Sequence, residues 1–309
     1  MQRKIAFMGT PNFAVPVLKN IYQNGYEITA VYTRPPKKSN RGQKIEKSPI
    51  HLLAETLNLN IRTPNQLNKN NLEHEYLRNL DLDLVIVVAY GQIIPKNFLS
   101  LSKGGFINLH ASILPSWRGA APIQRCIMNR DKETGISVMK INEKLDEGDI
   151  SHIFKTNITK NENAQSLSEK LSTLASHNIS DIIDGILDEK INFKPQDHSK
   201  ATYAKKIIKS EGLIDWNDAA ENIIGKINGL YPYPGGYFLF KGERYKILKA
   251  EKYFSKENPG KVLTNDLEIS CGTNSIKILE IQREGKKSQK INEFLPGSQI
   301  KKGISLLDV

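Results

Sequence analysis

The sequence predicts an open α/β sheet followed by a small β-domain, and three observations support that prediction. Residues 4–8 form a short apolar segment that leads through a Gly-Thr-Pro turn into a stretch with helical apolar spacing. Residues 84–90 are a near-continuous apolar run, as in strands buried on both faces of a parallel sheet. After about residue 205, short segments separated by Gly, Pro and Asn are typical of a small β-barrel or sandwich. We therefore expect two domains, 1–204 and 205–309.

The amino-terminal elements alternate between strand and helix. The first helical stretch ends at Gly25, and Pro122 suits the first turn of a later helix. Such alternation indicates an open sheet whose strands are linked by helices. After the first strand, the predicted elements are a helix up to residue 25, a strand at 28–32, a helix at 51–57, an extended piece at 61–64, strands at 84–90 and 106–110, a helix at 121–128 and a strand at 136–139.

The carboxy-terminal third is predicted to be mostly β-structure. Its only strong helical pattern covers residues 219–230. A linker near residues 196–208 is expected to join it to the first domain. Strands are predicted at 237–240, 245–250, 261–263, 268–270 and 276–281.

Composition excludes several classes of protein. The mean hydropathy is −0.43, and no apolar run reaches the ~18 residues of a membrane-spanning helix. The amino terminus reaches its first turn too early for a secretory signal, so we expect a cytoplasmic protein. Cys126 and Cys271 have no partner at disulfide-framework or zinc-site spacing and are interpreted as small buried side chains rather than nucleophiles. Gly9 lacks the other glycines of a dinucleotide-binding turn.

Positive charge is concentrated in two places. The net charge is +11, and the segment 34–47 contains six basic residues but only one acidic residue, Glu46. Residues 205–309 have a further basic excess. This distribution suits contact with a phosphate backbone at two places, although a solvated loop and an ordinary basic surface remain the alternative. The basic residues of the segment are Arg34, Lys37, Lys38, Arg41, Lys44 and Lys47.

Three polar residues form a candidate catalytic set. If 106–110 is a strand, its period of two places Asn108 and His110 on one face, at the end of a sheet where ligands bind. Asp146 lies in a polar loop after the strand at 136–139 and could orient the imidazole. An amide donor, an imidazole and a carboxylate suit acyl transfer without a covalent enzyme adduct. The alternatives are ordinary strand residues and an aspartate that only shapes its turn; no G-x-S-x-G elbow supports a serine mechanism with Ser112.

At these residues the chain resembles the methionyl-tRNA formyltransferase family over essentially its full length. The Asn-x-His and His-x-Ser-x-Leu-Pro pieces occur in all folate-dependent formyltransferases, so they indicate the chemistry and the formyl donor. The WRGAAPIQ extension and the basic segment narrow the choice of acceptor. The segments that carry the resemblance are MGTPNFAVPVL, NLHASILPSWRGAAPIQR, GISVMKINEKLDEGDI, ATYAKKI, LYPYPGGYF and CGTNSIKILEIQREGKK.

The resemblance implies a Rossmann-like open sheet of the formyltransferase type and an OB-like β-barrel that lies against tRNA. It implies catalysis by Asn108, His110 and Asp146, with 10-formyltetrahydrofolate as cosubstrate and no metal. The implied acceptor is initiator methionyl-tRNA. The basic segment is expected to recognise it, with Arg41 as the leading recognition residue. No membrane or obligate protein partner is implied. The implied folate-binding residues are Ser112, Ile113, Leu114 and Pro115, together with Ala89, Tyr90 and Gly91.

The sequence departs from the family pattern in two places. It has Lys37-Lys38-Ser39-Asn40 where relatives usually read Arg-Pro-Ala-Gly, and Asn12 where an aspartate is usual. The basic segment therefore keeps its charge but changes its detailed contacts. Two rival functions remain: a formyltransferase acting on an amino-sugar nucleotide, which would not need the basic segment, and a non-catalytic tRNA-binding protein, which would not need all three polar residues.

Overall fold

The computed structural model describes residues 3–39, 44–67 and 71–307, which form two compact units. The first unit comprises Met1–Gly119, Thr134–Thr156 and Ser168–Tyr203. The second comprises Ala120–Glu133, Asn157–Leu167 and Ala204–Val309. The boundary that the sequence predicts after residue 204 stays a prediction.

A seven-stranded sheet forms the centre of the first unit and confirms the predicted α/β class. Its order is β10-β9-β7-β6-β1-β2-β5; β1 pairs in parallel with β2 and β6, β2 with β5, and β6 with β7, whereas β9 is antiparallel to β7. The strands up to residue 157 are β1 (Lys4–Gly9), β2 (Glu27–Tyr32), β3 (Lys37–Ser39), β4 (Lys44–Glu46), β5 (Ile61–Arg62), β6 (Leu84–Val88), β7 (Phe106–His110), β8 (Arg118–Gly119), β9 (Glu133–Lys140) and β10 (Ile150–Asn157).

The apolar runs of the sequence become the buried central strands. Every residue of β6 is buried, which agrees with a strand covered on both faces. The prediction that this strand continues to Tyr90 is wrong, because Ala89 has a φ of +48° and leaves the extended region. The strand therefore ends at Val88, and a turn begins at the carboxyl edge of the sheet.

The helices confirm most of the sequence predictions, with one large omission. The helix α5 was not predicted, although Leu167, Leu171, Ala175 and Ile179 are buried at a spacing of four residues. Its five serines and its charged residues interrupt that pattern. None of the helices in the described residues is long and apolar enough to cross a membrane. The helices are α1 (Val15–Gln23), α2 (Pro49–Thr56), α3 (Asn71–Asn79), α4 (Pro122–Met128), α5 (Ala164–Leu187), α6 (Ala220–Gly229) and α7 (Ile291–Phe294).

The second unit contains an antiparallel sheet of the order β12-β13-β15-β14, with β16 also paired to β15. Its core includes Trp216, Phe238 and Tyr245, with the rings of Phe238 and Tyr245 stacked 5.5 Å apart. The strand predicted at 261–263 is wrong, because Val262 makes only an isolated bridge to Ile269. The remaining strands are β11 (Tyr203–Ala204), β12 (Gly236–Phe240), β13 (Glu243–Tyr253), β14 (Glu268–Ser270), β15 (Ser275–Arg283) and β16 (Gln289–Lys290).

Candidate active site

Strand β7 places Asn108 and His110 at the carboxyl end of the sheet. Asn108 lies between Val87 of β6 and Met139 of β9, and the alternation along the strand puts it on the same face as His110. The Asn108 side chain is half-buried, and no residue in the described ranges is hydrogen-bonded to it. Among the described residues, its amide is therefore a donor without a hydrogen-bond partner.

The His110 ring is buried, with 6 % of its surface exposed. Its Nε2 lies 2.9 Å from the carbonyl oxygen of Trp117. Because a carbonyl only accepts, this contact assigns the hydrogen to Nε2. Nδ1 lies 3.7 Å from Oδ2 of Asp146, which is within ion-pair range but too long for a hydrogen bond. The structure thus brings His110 and Asp146 together and leaves Nδ1 with hydrogen-bonding capacity to spare.

Asp146 is held from two sides in an unfavourable backbone conformation. Its φ is +52°, in the left-handed region that costs a residue with a Cβ about 1 kcal/mol. The backbone amide of Gly119 donates to Oδ2 at 2.8 Å. Nε2 of Gln196 donates to the carbonyl oxygens of Asp146 and Gly148, at 2.9 and 2.7 Å. These bonds fix both the carboxylate and the loop that carries it.

The segment that follows the Ser-Ile-Leu-Pro sequence turns back onto the catalytic strand. Trp117 has a φ of +63°. Its backbone amide donates a hydrogen bond to Oγ1 of Thr202 at 2.9 Å, which fixes the orientation of this residue. The amide of Arg118 donates to the carbonyl of Thr202 at the same distance. These two bonds to Thr202 hold the segment so that the Trp117 carbonyl oxygen faces His110 and the Gly119 amide faces Asp146.

Sequence reasoning missed the residues that hold the catalytic set in place. Gln196 lies 50 residues from Asp146, and nothing in its local pattern marks it as a partner. Arg118 carried a weak signal, since it is a charged residue in an otherwise apolar and neutral segment, 106–117 and 119–124. The contacts of Trp117 and Gly119 are made by the backbone, which leaves no trace in residue type.

The predicted folate-binding loop is tightly hydrogen-bonded within itself. Ser112 is fully buried; its hydroxyl donates to the carbonyl of Ser116 at 2.6 Å, and its own carbonyl accepts from Oγ of Ser137 at 2.7 Å. The amide of Leu114, a buried residue, donates to the same Ser137 oxygen at 3.0 Å, and the bond to Pro115 is cis. Ile113 and Pro115 are half-buried. Ser112 therefore orders the loop, and a ligand-binding role for these residues stays a prediction.

The second predicted folate segment is the turn after β6. Ala89 and Gly91 are exposed and both have positive φ, whereas Tyr90 is buried and burial raises the pKa of its hydroxyl. Thr10 donates to the carbonyl of Tyr90 at 2.8 Å and ties the turn to the end of β1. Because β6 and β7 are adjacent parallel strands, this turn and Asn108 lie at the same edge of the sheet.

The basic segment 34–47 forms a hairpin rather than a simple loop. Strands β3 and β4 pair antiparallel, with Lys37 opposite Glu46, Lys38 opposite Ile45 and Ser39 opposite Lys44. Residues 40–43 lie outside the described residues, and the predicted recognition residue Arg41 is one of them.

The described basic side chains of this hairpin differ in their partners. Arg34 donates from its guanidinium to the carbonyl of Gly91. Lys47 lies 2.5 Å from Oε1 of Glu55, and this hydrogen bond lowers the pKa of that carboxyl. Lys37 is exposed, and within the described ranges it has neither a hydrogen bond nor an ion pair. Lys37 is thus the more available cation for an anionic partner.

The remaining candidate groups are the two cysteines and the residues that could hold a metal ion. Cys126 and Cys271 are both buried, and burial raises the pKa of Cys271 to about 12. In the part of the chain that the structure describes, no group of three or more His, Cys, Asp or Glu residues is arranged to hold a metal ion.

Comparisons with known proteins identify the family. The formyl transferase model matches residues 3–183, and the model of the formyl transferase C-terminal domain matches residues 206–299. The methionyl-tRNA formyltransferase of Pelagibacter ubique (strain HTCC1062) is 62 % identical over 310 residues, covering 100 % of both chains.

Solved structures of other formyltransferases share the fold at low identity. An N-formyltransferase from Helicobacter canadensis, in complex with folinic acid and dTDP-3-aminofucose, matches with a TM-score of 0.69 at 20 % identity, covering 90 % of this chain and 99 % of that one. HypX from Aquifex aeolicus, in complex with tetrahydrofolic acid, matches with a TM-score of 0.67 at 14 % identity. That match covers 97 % of this chain and 48 % of HypX, so this chain spans about half the length of HypX. By its full-length identity, the chain belongs to the methionyl-tRNA formyltransferase family.

Proposed function

We propose that the protein transfers the formyl group of 10-formyltetrahydrofolate to the α-amino group of methionine on initiator tRNA. The observation that carries this proposal is that Asn108 and His110 share one face of β7 at the carboxyl edge of the sheet, with Asp146 3.7 Å from His110 and no partner for the Asn108 amide among the described residues. Full-length identity of 62 % to a methionyl-tRNA formyltransferase supports the choice of acceptor. The folate compounds bound to the related enzymes support the choice of donor.

The formyl group suits this set of residues because its carbonyl oxygen becomes negatively charged during transfer. Attack by the amine on the formyl carbon gives a tetrahedral intermediate with an oxyanion. We assign the Asn108 amide as one donor to that oxygen; Nδ1 of His110 becomes a second donor when the ring carries a hydrogen on both nitrogens. Asp146, 3.7 Å from that nitrogen, stabilises the imidazole when it carries two hydrogens.

The proton balance of the reaction also requires a carrier. The amine loses one proton when its new bond to the formyl carbon is complete, and the folate nitrogen gains one when its bond to that carbon breaks. The net transfer is one proton from the amine to the leaving nitrogen. His110 is the titratable group on the catalytic face of β7, and we assign this transfer to it.

The basic hairpin is assigned to the tRNA acceptor. Its exposed Lys37 and the predicted contact residue Arg41 would neutralise phosphates, which an amino-sugar nucleotide of low charge does not require. The same proposal places the protein in the cytoplasm, with initiator methionyl-tRNA as its partner. Residues 205–309, which carry the second excess of basic residues, are proposed to form a second area of contact with the tRNA.

The test is a comparison of acceptors with one formyl donor. The protein is incubated with radiolabelled 10-formyltetrahydrofolate and, in separate reactions, methionyl initiator tRNA, a dTDP-amino sugar and glycinamide ribonucleotide. We expect label to enter only methionyl-tRNA, as acid-precipitable N-formylmethionine. Transfer to the amino sugar alone would establish the rival enzymatic function, and tRNA binding without any transfer would establish the non-catalytic one.

A further inference from the structure

A second layer of residues surrounds Asp146, and its centre is the buried side chain of Arg118. Only 1 % of Arg118 is exposed, which makes it the largest of the fully buried side chains described. Its Nε and Nη2 both donate to Oε1 of Gln196, at 3.1 and 2.8 Å. Its Nη1 lies 3.4 Å from Oε1 of Glu147, the residue after Asp146. A buried guanidinium thus reaches the Asp146 loop through two different neighbours.

The two bonds from Arg118 decide which way the Gln196 amide points. A guanidinium only donates, so the atom that faces it must be the amide oxygen. The amide nitrogen is therefore turned toward the loop, where it donates to the carbonyls of Asp146 and Gly148. With the amide reversed, an oxygen would face two carbonyl oxygens, and both bonds would be lost.

The same short segment also contacts the catalytic side chains directly. The residue before Arg118 accepts from His110, and the residue after it donates to the Asp146 carboxylate. Residues 117–119 therefore fix the orientation of the His110 ring and of the Asp146 carboxylate. Through Gln196 they also hold the backbone of Asp146 and Gly148. Because Asp146 has a positive φ, its loop needs this support to keep Oδ2 near the ring.

We infer that Arg118 and Gln196 are positioning residues for the formyl transfer, acting through Asp146 and not on the substrates. Gln196 is 6 % exposed and Arg118 is 1 % exposed, so neither offers a surface to a ligand. The inference rests on the proposed function, because it assigns Asp146 a part in the reaction. It adds two residues that contribute to turnover without contacting folate or tRNA.

The primary test is Gln196→Glu, which keeps the size of the side chain and its oxygen toward Arg118 but replaces the donating nitrogen. We expect kcat to fall by about 10- to 100-fold, the range found when groups that orient metal ligands are removed. KM for methionyl-tRNA should stay within about twofold, because Gln196 does not contact the substrate and its loss weakens transition-state stabilisation through Asp146. Arg118→Lys provides an independent variant, since an ammonium cannot make the paired bonds of the guanidinium.

The decisive readout is a double-mutant comparison with Asp146→Asn. If Gln196 acts through the Asp146 carboxylate, then adding Gln196→Glu to Asp146→Asn lowers kcat further by less than about twofold, the usual error of additivity. A merely structural role would lower kcat by the same factor in both backgrounds. Rates are compared at equal concentrations of folded protein, measured by circular dichroism.

A matched control is Asn178→Asp in α5, where the amide nitrogen donates to the carbonyl of Leu174 at 2.8 Å. It makes the same chemical change remote from the catalytic strand, and kcat should not change. Wild-type kcat in both Gln196→Glu and Arg118→Lys, or full additivity with Asp146→Asn, would overturn the inference. A wild-type protein that formylates no methionyl-tRNA would instead overturn the proposed function, so the two failures are distinguishable.

Discussion

The backbone amide of Gly119 donates a 2.8 Å hydrogen bond to Oδ2 of Asp146, the same oxygen that lies 3.7 Å from His110. A single carboxylate oxygen is thus shared between a fixed backbone donor and the imidazole. The backbone bond holds this oxygen in place beside the ring. This arrangement favours a preorganised site over one that forms only when substrates bind.

Replacing Asn108 by alanine should affect turnover far more than folate binding. Loss of one oxyanion donor typically lowers kcat by about 10² to 10³. The KM for 10-formyltetrahydrofolate should change little, because the amide acts most strongly on the charged intermediate. Initial-rate kinetics at saturating methionyl-tRNA measure both constants. Asn178→Ala serves as the control for loss of a partly buried amide, and unaltered turnover in Asn108→Ala would remove this residue from the site.

Replacing Lys37 by alanine should weaken tRNA binding more than replacing Lys47. Lys37 is exposed without a partner among the described residues, whereas Lys47 is paired with Glu55 at 2.5 Å. Each lost phosphate contact should reduce the slope of log affinity against log salt by about 1. Filter binding of methionyl-tRNA at several salt concentrations gives that slope. Arg41→Ala is expected to act like Lys37→Ala; equal effects of Lys37→Ala and Lys47→Ala would contradict the distinction drawn from their partners.

Replacing Gly148 by alanine should disturb the Asp146 loop. A Cβ at this position would lie 1.8 Å from the carbonyl oxygen of Lys140, so the backbone must move. Displacement of a catalytic group by 1 Å can lower the rate by about 10²-fold. The measurement is kcat together with the melting temperature. Gly297→Ala is the control, because no atom lies within 4 Å of its added Cβ; a Gly148→Ala enzyme with full activity would show that the loop position is not critical.

The two cysteines should be unreactive in the folded protein. Cys126 and Cys271 are 0 % and 2 % exposed, and burial raises the pKa of Cys271 to about 12. At pH 8 only about one Cys271 side chain in 10,000 would be a thiolate, which is the reactive form. Titration with a chromogenic disulfide should detect no thiol in native protein and two after denaturation. A fast native reaction would reopen the question of a catalytic cysteine.

The Arg125–Glu211 pair should stabilise the second unit in a pH-dependent way. Two hydrogen bonds, 2.6 and 3.1 Å long, join the guanidinium to the carboxylate, and they lower the pKa of Glu211 below its ordinary 4.5. The charged form is therefore favoured by folding. Its contribution is present above pH 4.5 and is lost as the pH falls through the lowered pKa. Glu211→Gln should reduce the free energy of unfolding by about 1 kcal/mol at pH 7.

Urea denaturation measures the difference, followed by the fluorescence of Trp216, which lies in the core of this unit, in proteins in which Trp117 is replaced by phenylalanine. The difference in free energy of unfolding between wild type and Glu211→Gln should shrink as the pH falls below 4.5 and through the lowered pKa of Glu211. Glu257→Gln is the control, because its ion pair with Lys261 is exposed to solvent and should contribute less to stability than the Arg125–Glu211 pair. If the difference in free energy of unfolding increased on acidification, the prediction that the ionised Glu211 stabilises the folded state would be contradicted.

The sequence predicts the central strands and the shared face of Asn108 and His110 because both depend on local patterns. The alternation in β7 shows that Asn108 and His110 share a face, and the apolar run of β6 identifies a buried strand. The end of β6 was not predictable, since nothing in the residue type of Ala89 marks its left-handed backbone. Helix α5 was missed because polar residues interrupt its apolar spacing.

The support of the site depends on long-range contacts that no local pattern reveals. Gln196 contacts Asp146 across 50 residues of chain, and the Trp117 carbonyl contacts His110 through a turn of positive φ. The sequence predicts a loop at 34–47, whereas β3 and β4 pair there; lysine is depleted in strands, so residue type does not indicate this pairing. Such contacts come from tertiary packing and cannot be inferred from propensity.

The left-handed backbone at Asp146 narrows the evolutionary routes open to this position. Aspartate, asparagine and glycine tolerate that conformation best, yet two of those three lack a negative charge. Glutamate retains the charge but lengthens the side chain, so its oxygens no longer match the Gly119 amide. Any substitution of Asp146 therefore gives an enzyme that either lacks this carboxylate or holds it in a different position. Lineages that depend on the reaction will tend to retain aspartate.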